Sequence, residues 1–586
     1  MTFRGMWTFG LAVCVMVPTL TFGAEARLRK PEALILVDGG TRLLTANRGA
    51  GTISIVDVES RRVAAEVNVG RGLADLKELP GGRWLLAVDQ AAGELVLVER
   101  QGDVIRRASA TPVASDPARV VVGADGLRAV VVSRWSRTLT FLAWDRPASP
   151  EVPPAVRVVS TLALPFSPLD AAAVPGGSPS LLVVADAFGG RLALIDQDAP
   201  AIVSDWNLPG HNLRSLRFSP DGRTLALLGQ FVNPVNRTTF DDIHWGFLAH
   251  SEMQTFRLDD LLTPGVDVET LLENGRAATI GNVGSGSADP SSFAFGPGGV
   301  LVVALAGTDE VATALGLGRP YKRQSVGRRP SALALSLDGR TAYTADALDD
   351  AISIVDLADR KVAAPIVLGT RPEPTLVEEG ERLFTSARIG REGWMSCHTC
   401  HTDGHTAGVL VDTMTDGSYG AAKQTPTLLG VDRTGPWTWL GRIDRLEDQV
   451  RKSITTTLRG ADPTDRQVDA LTAYLRTLEP PKPVVATAPA EAVARGRAVF
   501  ASHDCASCHA APEYTTPKTY DVGLTDAVGS RAFNPPSLRG ASRRATFLHD
   551  ASARSLPDVF QSIQHPAGTV LTPAEIADLV AFLESL

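Results

Sequence analysis

Two pentapeptides of the pattern Cys-x-x-Cys-His stand 108 residues apart, Cys397-His398-Thr399-Cys400-His401 and Cys505-Ala506-Ser507-Cys508-His509. Thiols at that spacing can add across the vinyl groups of a porphyrin edge, and the adjoining imidazole then falls under the iron. The pattern is the attachment site of a c-type haem. Zinc also takes Cys and His, but a structural zinc gathers four ligands closely, and here the second Cys pair is distant along the chain. The expected cofactors are two covalently bound haem c groups on Cys397, Cys400, Cys505 and Cys508, with His401 and His509 as proximal iron ligands.

The remaining cysteine, Cys14, lies in a segment with one basic residue, Arg4, an apolar run from Met6 to Leu20 and small residues near Gly23-Ala24. Residues 1–23 read as a secretory signal peptide, since the run is shorter than the ~20 residues a spanning helix needs. The expected location is periplasmic or otherwise exported, with no membrane span in the mature chain. The formal charge is -8 over 586 residues, and removing Arg4 with the leader leaves -9. Such mild acidity without a basic run argues against nucleic acid as a partner. The length exceeds one hydrophobic core and calls for two or three domains.

The elements that carry the motifs differ sharply along the chain. From about residue 27 to 370, short alternating β-branched runs are separated by a recurring turn: Asp38-Gly39, Pro80-Gly81, Asp125-Gly126, Pro175-Gly176, Asp221-Gly222, Pro297-Gly298 and Asp338-Gly339. Gly accepts the positive φ that a tight hairpin demands. Spacings of 42, 45, 50, 46, 76 and 41 residues give about four strands per unit, which predicts an all-β seven-bladed propeller. A β-sandwich would not need so regular a period. Units such as Arg329-Pro-Ser-Ala-Leu-Ala-Leu-Ser-Leu-Asp-Gly-Arg340 resemble the YVTN-type bacterial propeller repeats, which specify fold rather than function. The 76-residue gap predicts about thirty extra residues near Gln230 to Ser251, including His244, Trp245 and His250, either as a docking loop or as a long surface hairpin.

From about residue 376 the pattern becomes helical and repeats once. Gly380 and Phe384 precede the first motif as Gly496 and Phe500 precede the second. Pro426-Thr-Leu-Leu-Gly430 matches Pro536-Ser-Leu-Arg-Gly540, and Trp439 matches His549, each offset by 110. Each copy closes on a helix with one apolar stripe. Two all-α cytochrome c-like domains are expected, at 376–480 and 491–586, joined by a stiff Pro-rich linker.

Over roughly residues 376–586 this arrangement resembles the bacterial dihaem cytochrome c peroxidase and MauG-type family. Trp437-Thr-Trp-Leu-Gly-Arg442 and Leu446-Glu-Asp-Gln-Val450 are similar to its Trp-Asp-Gly-Arg and Leu-x-x-Gln signatures, and Phe547-Leu-His-Asp550 to its Phe-His-Asp-Gly segment. The resemblance implies that Trp439 relays electrons between the haems and that Gln449 faces the distal pocket of haem 1. A core aromatic is the plain alternative for Trp439, and a propionate partner for His549. By the same resemblance His565 falls where the family carries the sixth ligand of haem 2, with His549, His503 or a Tyr as alternatives. For haem 1 an open or water-bound iron is the expectation, with Met414, His405 or His244 as alternative ligands. The pattern also departs from the family. Arg451 to Gly460 contains no acid where peroxidases place an acid–base Glu, Leu440 stands for the Asp, and Ala551 for the Gly.

The chain is therefore expected to be an exported dihaem cytochrome in electron transfer or oxidoreduction, with the propeller docking a partner or shielding a haem. Its redox partner would be a small cytochrome or cupredoxin. A peroxidase reducing hydrogen peroxide at haem 1 is the second expectation, weakened by the missing Glu. A surface binding protein with accessory haems is the third.

Overall fold

The computed structural model describes residues 27–146, 149, 151–176, 180–414, 417, 419–480, 483–484 and 488–586. The signal-peptide reading and Cys14 lie outside the described residues.

The N-terminal part is an all-β propeller of seven antiparallel sheets. The turn signals explain its construction. Each of the seven joins the first strand of a blade to the second, as Asp38-Gly39 joins Pro31–Val37 to Arg42–Asn47, and all seven glycines sit at positive φ. First strands line the axis and second and third strands are almost wholly buried, as in Leu85 to Val88 and Leu95 to Val98. Fourth strands are largely exposed or half-buried, and Arg62–Asn68 alternates between the two. Charged residues on that rim keep an edge strand from pairing with another chain. Neighbouring blades are linked at the axis by side chains that reach the next first strand: Asp75 accepts from the Val120 amide at 3.0 Å and Asp170 from Leu216 at 3.0 Å. The ring closes where Ser331 donates to the Pro31 carbonyl at 2.7 Å, joining the last blade to the first.

The expected insertion in the fifth blade is present but divided. Residues 233–248, with the helix Phe240–His244, separate its second and third strands, and the helices Leu258–Leu261 and Val268–Asn274 separate its third and fourth. A repeat interval measures surplus length without saying which loop holds it, so the sequence concentrated all of it in the first.

Two helix-rich domains follow. In the first, helix Leu376–Thr385 crosses helix Asp465–Leu475; in the second, Ala490–Ser502 crosses Pro573–Glu584. The duplicated glycines are what allow these crossings. A Cβ on Gly380 would stand 2.0 Å from the Ala470 carbonyl oxygen, and one on Gly496 1.9 Å from that of Asp578. Glycine in a helix interior ordinarily costs up to ~1 kcal/mol relative to alanine; backbone contact at these two positions reverses the sign. Gly496→Ala is expected to destabilise the second domain by about 1–3 kcal/mol, the usual cost of overpacking, read as a lower thermal midpoint. An unchanged or raised midpoint would remove this account of the crossing.

The helical part is seated on the propeller. Trp394, 3% exposed, fills a socket built from propeller glycines: a Cβ on Gly281 would lie 2.7 Å from its ring and one on Gly286 2.4 Å from its Cα. Around it, Gly286 N–H donates to the Glu392 carbonyl at 2.7 Å and Ala288 N–H to Gly393 at 3.1 Å. Ion pairs Lys30–Glu381 at 2.5 Å and Arg134–Asp403 at 2.6 Å complete the seam. The 233–248 insertion contributes Ile243 and Leu248, which pack with Trp394, Met395, Val411 and Leu458. That loop therefore docks within the chain, onto the first helical domain.

Candidate functional site

Both Cys-x-x-Cys-His motifs open onto one cavity of about 440 Å³ that runs through the two helical domains. In the first, Ser396 caps the short helix Cys397–Cys400, accepting from the Thr399 amide while Thr399 Oγ1 accepts from the Ser396 amide. This reciprocal box satisfies backbone donors that the helix start leaves open. His401 follows the helix, and its Nδ1–H donates to the Pro426 carbonyl at 3.0 Å. In the second domain His509 Nδ1–H donates to the Tyr514 carbonyl at 3.0 Å. Each bond fixes the ring tautomer and leaves Nε2 with its lone pair toward the cavity, the arrangement a metal-ligating histidine requires. Burial pushes both imidazoles down to about 4, so both are neutral at pH 7. Burial, with the Asp289 carboxylate second, pushes the Cys397 and Cys400 thiols up to about 12. Among the described residues no His, Cys, Asp and Glu cluster of three or more is arranged to hold a metal ion.

The donor set fits a porphyrin better than a bare ion: paired thiols beside a fixed imidazole, twice, along a mostly apolar cavity. His565 and His549 also line it, and each has a buried Nδ1 without a hydrogen-bond partner. His565 is the one near enough to His509 for its charge to affect that ring. His549 instead faces the interdomain pair Lys423–Asp526, whose charged atoms are 3.2 Å apart, and stacks on Phe533 with centroids 4.3 Å apart. His503 lines the cavity too and lies 3.7 Å from Glu575.

Trp439 and His549, equivalent positions of the two copies, meet across the domain interface with ring centroids 6.4 Å apart. The duplication makes this symmetric. Trp437 pairs with Ile443 as Phe547 pairs with Ala553, and Thr438 and Leu548 both turn the chain at positive φ, 72° and 71°. Trp439 Nε1–H donates to the Gln424 carbonyl at 2.7 Å, and the Gln424 amide donates to the His549 carbonyl at 2.7 Å. A continuous bonded path therefore accompanies the ring contact. Ala551 sits at φ 57°, a conformation glycine adopts freely and alanine does not.

Gln449 also lines the cavity, beside Ser453, Ile454 and Thr457. Its Nε2 donates to Ser453 Oγ at 3.0 Å, and its Oε1 is buried without a partner. Asp504, from the second domain, is the one carboxylate among the described residues lining the cavity.

The other expected ligand candidates stand elsewhere. His405 is buried where the three domains meet, its Nδ1 3.0 Å from Thr427 Oγ1 and its Nε2 3.4 Å from the Arg543 carbonyl. Its ring packs edge-on against Trp135 and Phe188 of the propeller. Met414 lies outside the cavity lining in a turn at φ 55°. His244 faces the Glu392 carboxylate at 3.0 Å, and His250 stacks on Phe231. Bonds already made to protein explain why His405 and His244 do not reach the cavity.

No motif or spacing marks the residues by which the propeller grips the first motif. His211 Nε2–H donates to the Thr399 carbonyl at 2.9 Å. Asp289 accepts from Ser396 Oγ, from Thr399 Oγ1 at 3.1 Å and from Gln230 Nε2 at 2.8 Å. Burial alone would raise its carboxyl, but the neighbouring His398 imidazole and the bonds from Ser396 and Gln230 hold it down at about 2. The two motifs thus differ in setting. His398 and Thr399 of the first are buried under the propeller, whereas Ala506 and Ser507 of the second are exposed.

A family model described as di-haem cytochrome c peroxidase matches residues 374–483, and one described as cytochrome c matches residues 493–586. The chain is 28% identical over 275 residues to the methylamine utilization protein MauG of Methylophilus methylotrophus, covering 35% of this chain and 81% of that one. It is 26% identical over 317 residues to MauG of Methylorubrum extorquens, covering 42% and 88%. Among solved structures, Kuenenia stuttgartiensis hydrazine synthase aligns with TM-score 0.48 and 17% identity over 57% of this chain and 99% of that chain. A streptogramin B lyase aligns at 0.39 and 12%, over 55% and 93%. Neither structural likeness carries an argument about function. The C-terminal part is a MauG-type, di-haem-peroxidase-like domain paired with a cytochrome c domain, and the N-terminal part is a seven-bladed propeller. No helix among the described residues is long and apolar enough to cross a membrane.

Proposed function

We propose that the chain is an exported dihaem c-type cytochrome that transfers electrons in an oxidation–reduction reaction, with the propeller shielding the first haem. The observation that carries this is the single cavity holding both Cys-x-x-Cys-His motifs, with the Trp439–His549 contact at the join of its two halves. Bound there, two c-type haems would supply one-electron chemistry and, where an axial position stays open, a place for a small oxidant.

The chain's own residues divide the work. His401 and His509 present neutral, oriented Nε2 atoms, and Cys397, Cys400, Cys505 and Cys508 provide the covalent links. His565 is placed to complete the second site. Trp439 joins the halves. Gln449 holds an unpaired amide oxygen toward the cavity of the first domain, able to accept a hydrogen bond from a small protic molecule. The propeller covers the first motif, so a small cytochrome or cupredoxin would dock on the second domain, whose motif reaches the surface. Peroxide turnover in this reading is slow, because among the described residues no carboxylate of the first domain lines the cavity to move a proton between the two oxygens.

The test is mass spectrometry of the mature protein with peptide mapping. Two haem adducts are expected, one on each Cys pair. A mature chain without adducts that retains zinc would overturn the reading.

A further inference from the structure

The propeller contributes a charge to the first motif as well as cover. Asp289 stands immediately before Pro290, at the start of a first strand, as Lys30, Asp116 and Arg329 stand before Pro31, Pro117 and Pro330. Asp116 is paired with Arg134 at 3.3 Å. Asp289 is 5% exposed, and among the described residues no Lys or Arg forms an ion pair with it. Its closest donors, Ser396 Oγ, Thr399 Oγ1 and Gln230 Nε2, are neutral. The nearest group able to carry positive charge is His398 Nδ1 at 3.6 Å. That histidine also lies 3.3 Å from Asp403 through its other nitrogen, and Asp403 is itself paired with Arg134 and Arg214. A desolvated carboxylate thus bears on both flanks of the first cysteine pair: Ser396 precedes Cys397, and Thr399 precedes Cys400.

We propose that Asp289 is a positioning and electrostatic residue by which the propeller lowers the reduction potential of the haem on Cys397 and Cys400, an inference that rests on the dihaem reading above. A fixed negative charge in a low-dielectric setting favours the more positive, oxidised state of a neighbouring iron. The carboxylate beside the second motif, Asp504, is exposed together with Ala506 and Ser507, and water screens its charge. The propeller thereby adds an electrostatic difference between two sites that arose by duplication, one that favours reduction of the second.

Spectroelectrochemical titration of the full-length, haem-loaded protein tests this. The first-site wave is identified as the one lost in a Cys397→Ala/Cys400→Ala variant. Asp289→Asn keeps the shape and removes the charge. It is expected to shift that wave upward by about a tenfold change in the one-electron equilibrium, ~59 mV, and to leave the other wave in place. Ser396→Ala breaks one bond of the grip but keeps the charge, and should leave both waves at wild-type positions. Unmoved potentials in Asp289→Asn with both haems attached would overturn the proposal. So would a Ser396→Ala shift as large as that of Asp289→Asn, which would make the grip mechanical. If the Asn variant does not accumulate, Asp289→Ser removes the same charge and is judged by the same two outcomes. Absence of haem from Cys397 and Cys400 in the wild type is a separate result and would instead overturn the dihaem reading.

Discussion

Trp439→Phe is expected to slow electron exchange between the two haem sites by at least about tenfold, the factor that ~1.4 kcal/mol of activation free energy represents, while both haems stay attached. The indole is placed for that role in three ways. Its ring faces His549 of the other domain at 6.4 Å. Its Nε1–H is bonded to the Gln424 carbonyl, and Gln424 is bonded in turn to the His549 backbone. Its own carbonyl accepts from the Asn534 amide at 2.7 Å, again across the interface. Phenylalanine keeps much of the apolar volume but is far harder to oxidise, and it has no N–H to give Gln424. The backbone bonds from Gln424 to the His549 carbonyl and from Asn534 to the carbonyl of residue 439 survive the change, so the interface should hold. Flash photolysis of the half-reduced protein measures the rate, and the thermal midpoint reports whether the interface was disturbed. Wild-type exchange in the Phe variant would make Trp439 a packing residue, and the cavity alone would then have to account for communication between the sites.

The parts of this molecule that were legible in the sequence are those written in local chemistry. Seven Gly-containing turns mark the start of seven blades because a tight hairpin needs positive φ at a fixed place. The offset of 110 between Trp439 and His549 announces a duplication, and the structure shows why both copies keep it: the two positions meet. What was not legible depends on residues more than a hundred positions apart. Asp289-Pro290 is the same dipeptide as Asp116-Pro117 at another first-strand start, and only the seating of Ser396 and Thr399 upon it gives it a role. Trp394 stands three positions before the first motif, and its socket is made of Gly246, Gly281 and Gly286 of the propeller, more than a hundred positions away in the chain. His405 was one alternative ligand for haem 1, and nothing local shows that Trp135, Phe188 and Arg543 surround it. The fifth-blade insertion was visible as length, but its docking onto the first helical domain was not.

The remaining result with a large expected effect is His565→Ala, which should convert one of the two haems from low to high spin and leave the other unchanged. Alanine offers no lone pair, so a ligand lost there leaves the second site five-coordinate or bound to water. His565 lines the cavity, its Nδ1 is buried without a partner, and its charge would bear on His509 in the same domain. Burial lowers its pKa below the ordinary 6.5. A lowered value leaves the ring neutral at pH 7, with a lone pair to donate. His549 is the competitor, and its surroundings argue against it. Phe533 covers one face of its ring at 4.3 Å, Trp439 approaches edge-on, and its electrostatic neighbours are Asp550, Asp526 and Lys423. Movement toward an iron would forfeit that stack and the interdomain contact with it. Electron paramagnetic resonance of the oxidised protein separates the two assignments directly. His565→Ala should add a high-spin signal amounting to one haem, and His549→Ala should add none. The opposite pattern would make His549 the ligand, and since that ring also meets Trp439, it would put an axial ligand of the second haem in direct contact with the proposed relay.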